Sequence, residues 1–260
     1  MRKLLIIIVS VLFTSSVWCQ PIHYTVSNAH SHNDYEQKMP FNLAYTEGFG
    51  SIEADIFLEN DNLYIAHDTV ELKTHRSLQE YYIEPLIKAV NKNKGFPFPD
   101  STKPLQLLID IKTDSIHTLN KLVTTLQKYP ILLNNRLLMF VITGNRPDET
   151  LFTSYPSFIS FDGELFKNYS KEALTRIRLL SDNFKSYSNW DGTGTISTNE
   201  LAVLKAAVKK AHELNKPVRF WNCPDVINAW KQFMSLGVDF INTDHINALS
   251  TFLRKQQVKR

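Results

Sequence analysis

Short apolar runs alternate with longer amphipathic stretches along most of this 260-residue chain. The apolar runs predict eight strands, at residues 26–30, 51–58, 105–111, 136–143, 158–161, 177–181, 217–221 and 238–242. The stretches between most of them predict helices, at residues 77–93, 115–128, 171–176, 198–214 and 225–236 and from residue 246. Strands that alternate with helices form parallel βαβ units, so we expect an α/β fold with a single (β/α)8 TIM barrel.

One polar turn interrupts this alternation after the second predicted strand. Glu59-Asn60-Asp61-Asn62 lies between two apolar runs, which indicates a β-hairpin. Such a hairpin would carry His67 and Asp68 back toward the mouth of the barrel. We therefore expect a small hairpin insertion at the end where barrel enzymes collect their functional residues.

The first twenty residues have a pattern of their own. Two basic residues precede an apolar run at 4–13, and small and polar residues follow up to Cys19. This order is typical of a secretory signal peptide, and the run is shorter than the ~20 residues that span a membrane. We predict a signal peptide at 1–19, a barrel domain at 22–257 and a secreted or periplasmic protein. Lipid attachment at Cys19 is the alternative to cleavage there.

The charge balance narrows the range of partners. The chain has 29 basic and 26 acidic residues, and removal of Arg2 and Lys3 would leave a net charge of +1. Nucleic-acid binding needs a clear basic excess, so we expect no nucleic-acid partner. Removal of Cys19 would leave Cys223 as the single cysteine, which excludes a disulfide framework and a cysteine zinc site.

A pair of histidines lies at the end of the first predicted strand, and a pair of carboxylates lies within the second. His30 and His32 are one residue apart, and so are Glu53 and Asp55. Residues i and i+2 of a strand point to the same face, so the two side chains of each pair project together. Adjacent carboxylates repel each other unless a cation lies between them, and oxygen ligands suit Mg²⁺ or Ca²⁺. Histidines beside such an ion are suited to proton transfer near neutral pH.

The third predicted strand adds an acid and a lysine to this set. Asp110 interrupts an otherwise apolar strand, where a carboxylate without a partner is costly. Lys112 lies two residues later on the same face and could bind an anionic substrate oxygen. Together with His67 of the predicted hairpin, these residues predict a metal-assisted acid/base site at the carboxyl ends of the barrel strands.

The order of these motifs resembles that of a known enzyme family. It is similar to the order in the glycerophosphodiester phosphodiesterases and the wider phosphatidylinositol-phospholipase-C-like barrel superfamily. The matching motifs are His32 with Pro40-Phe41-Asn42, Glu53-Ala54-Asp55, His67-Asp68, and Asp110 with Lys112. Residues 219–222 and 237–244 resemble the last two strands of the family. Within the superfamily, residues 30–35 look most like a branch of proteins named for altered inheritance of mitochondria.

The resemblance implies a metal-dependent phosphodiesterase that needs a divalent cation, Mg²⁺ or Ca²⁺, and the predicted signal peptide makes it a secreted one. It implies His32 and His67 as the catalytic acid and base, in either order. The metal ligands that it implies are Glu53, Asp55 and Asp110. We expect the substrate-binding residues at Lys112, Asn33, His30 and Trp221. The expected partner is a small phosphodiester or a phospholipid, with transient contact to a membrane surface.

Two other functions share part of this pattern. Amidohydrolase-like metal hydrolases also begin with a His-x-His motif, but they need further histidines at later strand ends, where this chain offers only His245. A non-catalytic barrel that binds a phosphate or a sugar would be expected to lack one of the site residues, and none is missing. Asn33, Phe41 and Asp110 replace residues that are usual in glycerophosphodiester enzymes, which leaves the substrate head group open.

Overall fold

The computed structural model describes residue 21 and residues 23–258. The predicted signal peptide at residues 1–19, including Cys19, lies outside the described residues. Within the described part of the chain, no helix is both long enough and apolar enough to cross a bilayer.

Nine strands form one sheet. In chain order they are β1 (Ala29–Ser31), β2 (Ser51–Glu59), β3 (Asn62–Ile65), β4 (Leu105–Ile111), β5 (Leu138–Gly144), β6 (Ile159–Gly163), β7 (Ile177–Asn183), β8 (Val218–Trp221) and β9 (Ile241–Thr243). Eight are parallel, in the order β8-β7-β6-β5-β4-β2-β1-β9, and β3 pairs antiparallel with β2. A parallel bridge between Arg219 and Phe240 joins the two ends of this order. The expected (β/α)8 barrel with a hairpin after its second strand is therefore confirmed.

Helices connect most of the strands. They are α1 (Asn42–Glu47), α2 (Glu84–Lys92), α3 (Ser115–Leu126), α4 (Pro130–Leu133), α5 (Lys171–Leu174), α6 (Thr198–Glu213), α7 (Ile227–Leu236) and α8 (Ile246–Val258). The predicted helix at 77–93 begins as a π-helical turn at Gln79–Ile83 and becomes α-helical at Glu84. Helix α1 was not predicted. It is a short helix that ends at Gly48, which has the left-handed φ of +86° that favours glycine.

Two boundaries differ from the prediction for identifiable reasons. The first strand begins three residues later than predicted, because Thr25 and Asn28 form a capping box and residues 26–28 adopt a 3₁₀ helix. The predicted helix at 225–236 begins at Ile227, because the carboxylate of Asp225 instead accepts hydrogen bonds from the Thr243 hydroxyl and the Asp244 amide. These two hydrogen bonds connect the loop after β8 to the end of β9.

The strands face two different environments. In β4, Leu105, Leu107 and Ile109 belong to the large core between the barrel and its helices, whereas Leu108 belongs to a separate cluster. Because side chains alternate along a strand, that second cluster fills the barrel interior. It consists of the buried Leu108, Val141 and Leu179, packed with Met139 and Phe240. Apolar side chains therefore fill the barrel interior on the side of the strands' amino ends, and polar side chains occupy the interior toward their carboxyl ends.

Candidate active site

A cavity of about 640 Å³ opens at the carboxyl ends of the barrel strands. Its walls come from β2, from β4 to β8 and from the loops that follow β1 and β3. The lining residues are His32, Asn33, Glu53, His67, Asp110, Ile111, Lys112, Thr143, Gly144, Asn145, Arg146, Asp162, Glu164, Ser181, Asp182, Arg219 and Trp221. Most of them carry polar or charged side chains, so the cavity suits a polar, charged ligand.

Three carboxylates meet at one side of the cavity. Asp55 of β2 is the direct register partner of Asp110 of β4, and Glu53 lies two residues earlier on the same face. One oxygen from each lies within 4.8 Å of the others. Burial, together with the charges of Glu53 and Asp110, raises the pKa of Asp55 to about 6. Among the described residues, Oδ1 of Asp55 and Oδ1 of Asp110 are buried and accept no hydrogen bond.

Lys112 lies against two of these acids. Its Nζ is 3.0 Å from Oδ2 of Asp55 and 2.8 Å from Oδ2 of Asp110. Burial lowers the pKa of Lys112, but the two carboxylates outweigh this effect and the net pKa is raised. The ammonium group therefore stays charged and offsets part of the repulsion between the acids.

The third acid, Glu53, is paired with a different positively charged side chain, that of Arg219. Oε2 of Glu53 accepts a hydrogen bond from Nη1 of Arg219 at 2.7 Å, and it lies 2.9 Å from Nε2 of His30. Burial alone would raise the pKa of Glu53, but Arg219 holds it well below its usual range. Burial and the same guanidinium lower the pKa of His30 to about 4, so His30 is neutral at pH 7. Nδ1 of His30 contacts the hydroxyl of Ser51 at 2.7 Å.

A glycine makes room for Asp110. Gly144, at the end of β5, has φ of +69°, and a Cβ atom at this position would overlap Oδ1 of Asp110. It would also lie 2.7 Å from the carbonyl oxygen of Ile111. A side chain at residue 144 would displace the carboxylate, so the acid cluster depends on this glycine.

His32 is held by the last strand of the barrel. Its backbone amide donates to the carbonyl of Thr243, and its Nδ1 is 2.8 Å from Oδ1 of Asp244. Its Nε2 lies 4.0 Å from Oε1 of Glu53. Burial lowers the pKa of His32, but the hydrogen bond to Asp244 and the charges of Glu53 and Asp244 outweigh it and raise the net pKa.

His67 lies on the other side of the acids, in the loop that follows β3. Its Nδ1 is 3.2 Å from Oδ2 of Asp55 and 3.0 Å from the hydroxyl of Tyr35. The Tyr35 hydroxyl donates to Oδ1 of Asn33 at 2.8 Å. His67 is 59% exposed, so its ring borders the open part of the cavity. Asp68, the next residue, accepts hydrogen bonds from the Val70 and Glu71 amides, which shape the loop.

Comparison with known proteins shows what this chain is similar to. Residues 22–135 match the model described as AIM6-like phosphodiesterase domain, and residues 217–247 match that of the glycerophosphoryl diester phosphodiesterase family. Altered inheritance of mitochondria protein 6 from Kluyveromyces lactis is 27% identical, over 87% of this chain and 72% of that protein. Its homolog from Arthroderma benhamiae is 29% identical, over 84% of this chain and 81% of that protein. This chain is similar to the AIM6-like branch of the glycerophosphodiester phosphodiesterase superfamily.

Solved structures show the same fold as this AIM6-like chain. A crystal structure of a glycerophosphodiester phosphodiesterase from Parabacteroides distasonis covers 88% of this chain and 98% of its own, with 15% identity and a TM-score of 0.54. A second crystal structure, titled as a putative glycerophosphoryl diester phosphodiesterase from Agrobacterium tumefaciens, covers 89% of this chain and 98% of its own. The identity is 12% and the TM-score is 0.51. At these identities the likeness concerns the barrel fold.

The AIM6-like barrel brings most of the predicted site residues to one cavity. His32, Asn33, Glu53, His67, Asp110, Lys112 and Trp221 line it. His30 requires a correction. It is fully buried and does not line the cavity, because its ring is enclosed by Ser51, Glu53 and Arg219. We therefore assign His30 to the positioning of Glu53 and not to contact with substrate.

Several residues of the site were not predicted from the sequence, among them Tyr35, Asp162, Arg219 and Asp244. Arg219 and Asp162 are charged residues inside strands, the same signal that identified Asp110. Asp244 directly follows the last strand, as functional residues of such barrels often do. Tyr35 had no such signal, because its role depends on the fold of the loop that carries His67.

Replacing Arg219 should destabilise the protein strongly. Arg219→Met removes the cation of a buried ion pair and leaves Glu53 without compensation, which typically costs about 3–5 kcal/mol. The matched control is Arg254→Met, whose guanidinium is half-exposed beside Glu47 and should contribute less than about 1 kcal/mol. Urea denaturation followed by circular dichroism measures both. Equal losses of stability in the two variants would contradict the role assigned to Arg219.

Gly144→Ala should disturb the acid cluster. The new Cβ would overlap Asp110, and overpacking of this kind typically costs about 1–3 kcal/mol in addition to the strain of a positive φ. Gly95→Ala is the control, because Gly95 has φ of +98° but a Cβ atom added there would meet nothing within 4 Å. The difference in free energy of unfolding between the two variants isolates the overlap. No difference would mean that Asp110 can move without cost.

Proposed function

We propose that this protein is a metal-dependent phosphodiesterase that uses His32 and His67 for acid/base catalysis. The observation that carries the proposal is the position of the two imidazoles on either side of three clustered carboxylates in one cavity. The similarity to these families supports phosphodiester chemistry, and the geometry suggests how this chain would perform it.

The acid cluster fits a divalent cation. Oxygen ligands alone suit Mg²⁺ or Ca²⁺, and Glu53, Asp55 and Asp110 would hold the ion. The buried oxygens Oδ1 of Asp55 and Oδ1 of Asp110, which have no hydrogen-bond donor among the described residues, support this assignment. When bound, such an ion neutralises charge on a phosphate oxygen. Lys112, which lies at the same carboxylates, would bind another phosphate oxygen.

The partners of the two histidines suggest their roles. The raised pKa of His32 favours the protonated ring, so His32 would donate a proton to the leaving alcohol. Nδ1 of His67 faces two acceptors, Oδ2 of Asp55 and the Tyr35 oxygen, whose own proton goes to Asn33. Nδ1 of His67 would therefore carry the proton and leave Nε2 free to accept one from the nucleophile. That nucleophile is water or a neighbouring hydroxyl of the substrate.

The substrate would be a glycerophosphodiester or a phospholipid. Apolar side chains on loops at the cavity end suit a phospholipid in a membrane surface, since Met39 is 53% and Val70 is 63% exposed. A protein that binds phosphate without turnover is the second candidate. Nothing in the cavity favours the amidohydrolase alternative, because the one metal-ligand cluster among the described residues consists of carboxylates and lacks histidine.

Phosphorus NMR tests the proposed activity. The purified protein is incubated with soluble glycerophosphodiesters and with phospholipid vesicles, with Mg²⁺ or Ca²⁺ and with a chelator. We expect metal-dependent cleavage and a loss of about 10²- to 10⁴-fold in rate for His32→Ala and for His67→Ala. His117→Ala is the matched control, since His117 also pairs with an aspartate, Asp114, but lies outside the cavity lining. Unchanged turnover in either site variant would contradict the mechanism, and binding without turnover would favour the second candidate.

We also propose that the protein is exported, because residues 1–19 have the order of a signal peptide. The expected outcome of N-terminal sequencing, on protein recovered outside the cytoplasm, is a mature chain that begins at Gln20. Mass spectrometry would detect a lipid on Cys19 if that residue is retained. A chain that still begins at Met1 and stays in the cytoplasm would contradict export.

A further inference from the structure

A buried tyrosine connects the loop after β1 to His67. Tyr35 is fully buried, and its ring stacks on that of His67, with 6.3 Å between the ring centroids and 14° between the planes. The Tyr35 hydroxyl lies 3.0 Å from Nδ1 of His67 and 2.8 Å from Oδ1 of Asn33. Because His67 itself is 59% exposed, the tyrosine is a rigid support for a ring that is largely open to the cavity and to solvent.

The backbone at Asn33 brings these groups together. Asn33 follows β1 and has φ of +46°, a left-handed conformation that asparagine, aspartate and glycine adopt more readily than other residues. This turn leads directly into the 3₁₀ helix Asp34–Glu36, which carries Tyr35 into the interior. The backbone carbonyl of Tyr35 accepts a hydrogen bond from Nη1 of Arg76, at the end of the loop that carries His67. The two loops are therefore joined at both the main chain and the side chain of Tyr35.

The single proton of the Tyr35 hydroxyl decides which atom of His67 carries a proton. Burial and the charge of Asp55 raise the pKa of Tyr35, so the phenol keeps that proton. Nδ1 of His67 also lies 3.2 Å from Oδ2 of Asp55, which is an acceptor. If Tyr35 donated to Nδ1, this nitrogen would turn a lone pair toward the carboxylate. Asn33 prevents that, because its amide oxygen takes the phenol proton and leaves the phenol oxygen as an acceptor for Nδ1–H.

The other end of the Asn33 amide is unused. Asn33 lines the cavity, and its Nδ2 makes no hydrogen bond among the described residues. An amide side chain carries one acceptor and one donor group, and here the acceptor is engaged by Tyr35. The donor group thus remains for an anionic oxygen of a ligand in the cavity. The two ends of Asn33 should therefore affect different steps, one the orientation of His67 and the other the binding of substrate.

We propose that Asn33 and Tyr35 form a hydrogen-bonded chain that positions His67 as the base. In this chain Tyr35 donates to Asn33, and His67 donates from Nδ1 to Tyr35, so that Nε2 keeps the lone pair that accepts a proton from the nucleophile. The inference rests on the proposed phosphodiesterase function and adds two positioning residues to it. Tyr35 acts only through His67, whereas Asn33 also presents a donor to the substrate.

Tyr35→Phe tests the chain by removing the phenol oxygen while it keeps the buried ring. The loss of one hydrogen bond to His67 should lower kcat roughly tenfold and change KM less than about twofold, because the base and not the substrate has lost a partner. Turnover is measured with bis(p-nitrophenyl) phosphate and Mg²⁺. Tyr45→Phe is the matched control, because the Tyr45 hydroxyl also pairs with an asparagine, Asn93, but lies outside the cavity lining. Wild-type kcat in Tyr35→Phe would overturn the proposal.

Two replacements of Asn33 separate the two ends of its amide. Asn33→Asp and Asn33→Gly both suit a left-handed backbone, so strain does not distinguish them. Asn33→Asp keeps an acceptor for Tyr35 but repels a phosphate, so KM should rise while kcat stays within about threefold of wild type. Asn33→Gly also loses the acceptor, so kcat should fall roughly tenfold. Adding Tyr35→Phe to Asn33→Gly should cause no further loss of kcat, because both changes break one chain. Additive losses would overturn the proposal.

Nitrogen NMR of the histidine rings reports the positioning without turnover. The protein is labelled with ¹⁵N-histidine and studied with a chelator present, at a pH at which the His67 ring is neutral. The His67 signals are identified by their loss in His67→Ala. We expect hydrogen on Nδ1 only in the unmodified protein and in Tyr45→Phe, and a second form with hydrogen on Nε2 in Asn33→Gly. Hydrogen on Nε2 in the unmodified protein, or an unchanged ring in Asn33→Gly, would overturn the proposal.

These outcomes separate the positioning of His67 from the activity. If Tyr35→Phe does not fold, the comparison of Asn33→Asp with Asn33→Gly still decides the inference, because both variants keep the buried tyrosine. An absence of metal-dependent turnover in the unmodified protein would overturn the proposed function. The ring spectra would then still show whether Asn33 and Tyr35 orient His67.

Discussion

A buried ion pair between Arg219 and Glu53 is the interaction on which the rest of the site depends. It places a positive charge inside a barrel whose polar layer is rich in carboxylates. Without that charge, a fully buried Glu53 would be protonated or would destabilise the fold. Burial, together with the guanidinium, lowers the pKa of His30, so the neutral imidazole can serve as a hydrogen-bonding support beneath the carboxylate.

The alternation of side chains along the strands determines where this polar layer lies. The lower interior holds Leu108 and Val141, and the next inward positions on the same strands are Asp110 and Thr143. The apolar cluster next to the carboxylates excludes water from one side of the site and strengthens its electrostatic interactions. Lys112 and Arg219 each offset part of the negative charge of the cluster, because each contacts different acids.

The two histidines are positioned in different ways, His32 by a distant part of the chain and His67 by a neighbouring hairpin. His32 follows β1 but is held by Asp244, which follows β9. His67 reaches the cavity because the β2–β3 hairpin reverses the chain at the level of Asp55, whose carbonyl accepts the Ala66 amide. Asp34 stabilises the loop that carries His32, with its buried carboxylate accepting hydrogen bonds from Ser31 Oγ, Phe41 N and Tyr82 Oη. Closure of the barrel and the β2–β3 hairpin together determine the distance between the two imidazoles.

Much of this protein was readable from the sequence, because local rules govern it. The strand period of two brought Glu53 and Asp55 to one face, and the alternation of strands with helices predicted the barrel. A polar turn at residues 59–62 predicted the hairpin and the return of His67. These features depend on neighbours within a few residues, so their patterns remain visible along the chain.

Other features were decided only by the tertiary structure. Arg219 contacts His30 across 189 positions of sequence, and no local pattern shows which side chains a charged residue in a strand will meet. The burial of His30 and the pairing of His32 with Asp244 have the same origin. Each depends on which side chains meet when β9 closes the barrel against β1 and β8, and that meeting is a long-range property of the fold.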